Sequence, residues 1–138
     1  MAARVLYENS RTLRYRLLEA FFWGLAAMFT ALAWSTRVAD PLNNHAAFLV
    51  LAGVCVFSGA AFGLFLLRSV TRITRDGATL TVETLAPFSR RRLTLPAGEA
   101  RFGNAAITGR GGANHVLLHV AGRRWPFVID TTKDRLLR

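Results

Sequence analysis

His115 and His119 are the pair most suggestive of metal ligation, because two imidazoles four residues apart share one face of a helix and can grip one ion. The residues between them, Val116, Leu117 and Leu118, follow a strand pattern instead. Along a strand four residues span roughly 13 Å. One tetrahedral ion cannot reach both rings, so no metal site is expected. Gly109-Arg110-Gly111-Gly112 could cradle a phosphate, yet it lacks the Gly-Lys-Ser/Thr ending of a P-loop and does not run from strand into helix. It reads as a plain connection. Cys55 is the sole thiol, which removes internal disulfides, zinc cages and haem-attachment pairs from consideration. The acidic residues are scattered singly and no Ser/His/acid or Cys/His arrangement is apparent. No catalytic, cofactor-binding or metal-binding residue is therefore assigned, no cofactor is expected, and the chain is read as a non-enzyme.

Arginine is the residue type left to do chemistry. Of the 18 basic residues 17 are Arg, and a guanidinium forks onto phosphate or carboxylate. Arg90-Arg91-Arg92 and Arg123-Arg124 are the densest clusters, with Arg68 and Arg72 just beyond the second apolar run. These seven are the candidate contacts for a protein partner or an anionic lipid. Headgroups would attract them at about 1 kcal/mol per residue near a bilayer, and nucleic-acid phosphates are a second possible target. The bland alternative is a solvated basic face in a genome biased toward Arg codons.

The elements that carry these residues follow from composition. A net charge of +10 together with 52% hydrophobic residues excludes a disordered basic tail and argues against a simple soluble domain. From Ala46 to Leu67 there are 22 consecutive uncharged residues, and from Ala20 to Ser35 another 16. A helix crosses a bilayer with about 20 apolar residues, so two spans are expected. The first is drawn at 17–36, with Phe21, Phe22 and Trp23 at one end and Trp34 at the other as an interfacial aromatic belt. The second is drawn at 46–67. Glu19 sits one turn into the first span, where a carboxylate can still reach water or a neighbouring Arg; a functional intramembrane carboxylate is the sharper alternative.

A secretory signal peptide would also fit the first segment, given its Arg-rich start and the small residues around Ala31-Leu32-Ala33 and Ala33-Trp34-Ser35. With Met1 present, we read it as a retained span and expect no long cleaved presequence. Residues 1–16 hold four Arg, the connection 37–45 holds one, and residues 68–138 hold twelve plus Lys133. The positive-inside rule then puts both termini in the charge-retaining compartment, cytoplasm or mitochondrial matrix, with 37–45 on the far side. Small residues at helical spacing, Ala20 with Gly24, Ala27 with Ala31, and Gly59 with Gly63, are candidates for close helix packing.

From Val70 the period changes to two. Val70–Arg75 and Ala78–Thr84 flank Asp76-Gly77, which predicts a hairpin with a type I′ turn. Pro87 and the Arg90-Arg91-Arg92 run mark the next turn, Leu93–Leu95 a strand ended by Pro96, and Arg101–Thr108 a weaker strand. Val116–Val120 and Trp125–Asp130 complete the pattern across a Gly122-Arg123-Arg124 turn. The fold class is a membrane α+β protein: a basic N-terminal segment at 1–16, a two-helix transmembrane hairpin, and at 68–138 a small antiparallel β-sheet domain of about five or six strands. Its single apolar face predicts a half-buried sheet leaning on a membrane or on another protein, since 71 residues leave little core to spare.

Four stretches in order carry a resemblance: Phe65-Leu66-Leu67-Arg68-Ser69-Val70, Leu85-Ala86-Pro87-Phe88, Leu93-Thr94-Leu95-Pro96, and Val120-Ala121-Gly122-Arg123-Arg124-Trp125-Pro126-Phe127-Val128-Ile129-Asp130. With Val5-Leu6-Tyr7-Glu8 more loosely, they resemble the transmembrane protein 223 family of the mitochondrial inner membrane. The resemblance implies a two-span protein with both termini in the matrix, associated with biogenesis of cytochrome c oxidase and with mitochondrial synthesis of its core subunit. It implies no catalytic residues. The expected role is thus an accessory subunit or assembly factor of a respiratory-chain (electron-transport) complex. Its partners would be the membrane, other subunits of that complex, cardiolipin and the mitochondrial ribosome. Two alternatives stand beside it: a matrix-facing ribosome or mRNA tether, and a bacterial two-span membrane protein with a lipid-sensing β domain.

Overall fold

A computed structural model of the chain describes residues 2–36, 44–103, 106–108, 113–132 and 134–137. The Gly-rich connection 109–112 and most of the inter-span connection, 37–43, lie outside these. The chain divides into two compact units, one of Leu13–Leu64 and the other of Met1–Thr12 with Phe65–Arg138.

The first unit holds nearly all of helices α1 (Thr12–Ser35) and α2 (Asn44–Arg68). At 1.5 Å per residue, 24 and 25 residues reach beyond the ~30 Å hydrocarbon thickness of a bilayer. Only 17% and 22% of their most apolar stretches are buried, so the chain itself leaves most of their apolar surface uncovered. Large apolar side chains point outward instead: Trp34 is 92% and Phe57 76% exposed. Burial falls on Ala26 and Ala33 of α1 and on Ala52 and Gly59 of α2. Each pair is seven residues apart, the spacing that keeps one seam of a helix facing a partner. Trp23 closes this seam. A Cβ on Gly59 would lie 3.0 Å from the indole ring, so the glycine is what lets the ring approach. Phe22 with Phe62 and Phe29 with Phe48 add aromatic contacts at 5.8 and 6.4 Å. At the far end the His45 ring lies 2.8 Å from the Ala33 carbonyl and 3.1 Å from that of Thr36. Both partners are acceptors, so Nδ1 carries the proton and caps the end of α1.

Ala20 and Gly24, candidates for close packing against the other helix or a foreign subunit, lie on the exposed side of α1, and nothing in the chain comes within 4 Å of a Cβ built on Gly24. The reason is phase. The buried line runs through Glu19, Ala26 and Ala33, which leaves Ala20 and Gly24 outside it. Gly59 and Gly63 are both buried in α2.

The second unit is built from two antiparallel sheets. Strands β1 (Arg4–Glu8), β2 (Val70–Asp76), β3 (Thr79–Ala86) and β4 (Ser89–Pro96) pair in that order. In the second sheet β7 (Ala113–Val120) pairs with β5 (Ala100–Phe102), β6 (Ala106–Thr108) and β8 (Phe127–Asp130). One core joins them: Leu6, Tyr7, Val70, Ile73, Leu80, Val82 and Leu95 from the first sheet meet Val116, Leu118, Val120, Phe127 and Ile129 from the second. The expected lone half-buried sheet is thus two sheets that cover each other.

Residues 4–8, assigned by sequence to a basic N-terminal segment, supply an edge strand. Five residues, exposed at both ends with Leu6 and Tyr7 both buried, are too short to stand out beside a long apolar run. β1 is held by its register with β2, where Tyr7 faces Ile73 and Glu8 faces Arg72. The Tyr7 hydroxyl also donates to the Asp130 carbonyl at 2.7 Å. The chain's end lies along it, with the Leu137 amide donating to the Leu6 carbonyl and the Ser10 amide and hydroxyl donating to Asp134.

Two turns differ from expectation. Asp76 pairs with Thr79, so the central turn residues are Gly77 and Ala78, and only Gly77 has positive φ, at 58°. That is the type II′ pattern, which requires a left-handed residue at the first central position alone. At the next hairpin Ala86 pairs with Ser89, so Arg90, Arg91 and Arg92 lie inside β4 rather than in the turn. Pro87 and Phe88 make that turn, with Phe88 at φ 55°. Trp125, expected in the last strand, precedes it.

Candidate anionic-ligand surface

Register sorts the arginines before any partner is considered. Across the first sheet, Glu8 faces Arg72, Arg72 faces Glu83, and Glu83 faces Arg92. This is a row of alternating charge. Arg92 donates to Glu83 Oε1 through Nη2 at 2.7 Å and Nε at 3.1 Å. Exposed pairs of this kind contribute about 0.2–1 kcal/mol, but this one occupies the guanidinium. Arg91 is opposite Thr84 and Arg90 opposite Leu85, so neighbouring arginines of the run project from alternate faces. With Arg92 paired to Glu83, the triplet is not an unbroken positive patch. β4 is also the edge of its sheet, and charged side chains on an edge strand oppose pairing with another chain.

A small polar depression of about 80 Å³ lies along this row, lined by Glu8, Asn9, Thr12, Arg72, Glu83 and Arg90 among others. Its two carboxylates balance its two guanidiniums, which makes it a poor receptor for an isolated anion. Glu83, Arg90, Arg91 and Arg92 line a neighbouring open groove of about 220 Å³.

The remaining arginines gather elsewhere. The Arg68 guanidinium lies 4.7 Å and that of Arg124 5.7 Å from the centre of the Trp125 ring, while Arg123 sits 5.5 Å from the Phe127 ring. Trp125 is 60% exposed. Guanidinium-on-indole contacts contribute about 0.5–1 kcal/mol at exposed sites, enough to order the side chains while leaving their N–H edges available. Among the described residues none of these three guanidiniums takes part in an ion pair.

This cluster is where α2 ends. Arg68 is its last residue, Ser69 bridges to Val128 of β8, and the Leu85 amide donates to the Ser69 carbonyl. The exposed Phe88 follows three residues after Leu85. The chain also leaves β1 for α1 close by, through an Asx turn in which the Arg11 amide donates to Asn9 Oδ1 at 2.7 Å. The Asn9 amide donates to Thr71. Trp125 and Phe88 were not singled out by sequence reasoning. The available signals were the aromatic directly after Arg123-Arg124 and a Phe in the turn position that usually takes Gly.

The other sequence candidates do not converge. His115 is opposite Asp130 and His119 opposite Arg101. Among the described residues no three His, Cys, Asp or Glu come together. His119, Glu99 and Arg101 line an open groove of about 340 Å³. Glu19 is buried and bound to Arg16 at 2.8 Å, the neighbouring-Arg arrangement. Cys55 is partly buried within α2.

The chain matches no protein-family model and no curated protein.

Proposed function

We propose that the protein is a non-catalytic accessory subunit or assembly protein of a respiratory-chain complex, cytochrome c oxidase first, anchored in the mitochondrial inner membrane by a two-helix hairpin. Both termini lie in the matrix on this reading. The observation that carries the anchoring is the pairing of β1 with β2. These strands flank the two apolar helices, and strands in one sheet lie about 4.8 Å apart. A chain that crosses a bilayer twice returns to its starting side, as this sheet requires.

The outward apolar side chains of both helices suit lipid as their surroundings, and the arginine excess of residues 68–138 suits the side that retains positive charge. The respiratory assignment is supported by the resemblance of four ordered motifs to the transmembrane protein 223 family. A non-catalytic role agrees with the scatter of the titratable side chains. The alternating Glu8, Arg72, Glu83 and Arg92 row favours a protein partner over a nucleic acid, because phosphate backbones select unbroken positive charge.

The test is affinity purification of the tagged chain from mitochondria in mild detergent. Recovery with haem-containing oxidase at fixed stoichiometry is expected for a subunit, and recovery with immature oxidase alone for an assembly factor. Recovery with neither overturns the respiratory assignment.

A further inference from the structure

We propose that Arg68, Trp125 and Arg124 form a clasp for the phosphate of an anionic phospholipid headgroup, at the level where α2 leaves the bilayer. The inference rests on the membrane-hairpin reading above and adds the ligand and the residues that take it.

Three observations carry it. The first is pairing. Arg11, Arg16 and Arg92 each have a carboxylate partner in Asp130, Glu19 and Glu83, whereas Arg68, Arg123 and Arg124 have none among the described residues. No Asp or Glu occurs between Glu99 and Asp130. The second is order. An exposed arginine samples many rotamers, but Arg68 and Arg124 are both held against the indole of Trp125 at 4.7 and 5.7 Å. Two guanidiniums gathered at one ring concentrate N–H donors suited to an oxygen anion around Trp125.

The third is position. Arg68 closes a 25-residue apolar helix, so its side chain stands where hydrocarbon gives way to headgroups. Tryptophan prefers that layer, with its ring among the acyl ends and its N–H among polar groups. Phe88 adds a second exposed aromatic near the same helix end, and its φ of 55° is one that non-glycine residues seldom adopt.

The experiment uses the full chain with Trp23→Phe and Trp34→Phe, so that Trp125 is the sole indole, reconstituted into phosphatidylcholine vesicles. Phosphatidylglycerol or phosphatidylcholine carrying dibrominated chains is titrated in as quencher. Quenching by the anionic lipid is expected at several-fold lower mole fraction than by the zwitterionic one. Arg68→Gln with Arg124→Gln should remove that preference, bringing the two lipids to within about twofold of each other. Arg90→Gln with Arg91→Gln removes the same charge from β4 and should leave it within twofold. Equal quenching by both lipids, or equal loss in the two double variants, overturns the clasp. So does protection of Trp125 by a short RNA in preference to the lipid. Flotation separates the two levels: a chain that floats with vesicles but shows no preference refutes the clasp alone, whereas a chain left unbound refutes the hairpin and the clasp together.

Discussion

The helix pair and the β unit invert each other. Within Leu13–Leu64 the buried apolar positions of α1 and α2 are small, Ala26, Ala33, Ala52 and Gly59 among them, while large residues such as Trp34 and Phe57 face out. In the β unit Ile73, Val82, Leu118 and Ile129 are buried and the arginines face out. Water drives the second arrangement, since apolar area removed from it contributes about 25 cal/mol per Å². The first needs no such force. Where the surroundings are themselves apolar, helices associate by close backbone approach and van der Waals contact, which favours Gly and Ala at the seam.

Substitutions of opposite kind should therefore damage the two regions. The largest effect is expected in the β core: Leu118→Ala should cost about 2–5 kcal/mol, seen as a fall in the unfolding temperature of the chain in detergent. Phe57→Ala, on the outer side of α2, should leave that temperature nearly unchanged. A comparable loss from Phe57→Ala would mean that α2 is packed as in a soluble protein, and the contrast would fail.

Gly59→Leu places a side chain where a Cβ alone would stand 3.0 Å from the Trp23 ring. We expect about 1–3 kcal/mol of overpacking, with a red-shifted and broadened Trp23 emission. Gly24→Leu, with open space around it, should be tolerated. Equal effects at the two glycines would refute the seam.

Tyr7→Phe removes the hydroxyl that donates to the Asp130 carbonyl and should cost about 1 kcal/mol. Faster amide exchange should then appear in β1 before β3. Phe88→Gly, the smallest effect, should stabilise the turn by about 0.5–1 kcal/mol by relieving a left-handed backbone. If Phe88 lies among headgroups, that gain should be accompanied by weaker vesicle binding of the chain.

How much of this was legible depends on which signal each element emits. The helices announce themselves through uninterrupted apolar runs, and Val70–Arg75 and Ala78–Thr84 through alternation around a glycine turn. β1 emits almost nothing: only five residues long, it owes its place to a partner more than sixty residues away. The two-sheet core was missed for a related reason. Alternation marks which face of a strand is apolar but not what covers that face, so Val116 and Leu118 gave no hint of Ile73. Within the chain the α1 seam runs through Ala26 and Ala33 rather than through Ala20 and Gly24, because a small-residue repeat fixes spacing without fixing phase or partner. The arginines were found by type alone. The structure then separates Arg92, committed to Glu83, from Arg68 and Arg124, which have no carboxylate partner among the described residues.

The central claim is that α1 and α2 cross a bilayer and return the chain to a single β unit on one side. It is tested most directly by single cysteines at Ala2, Asn44 and Ala78 in a Cys55→Ala background, probed in sealed vesicles with a membrane-impermeant thiol reagent. All three positions are exposed in the structure. The account predicts that Ala2→Cys and Ala78→Cys label from the same side and Asn44→Cys from the other. Labelling of Ala2→Cys and Ala78→Cys from opposite sides, or of all three from one side, would contradict it.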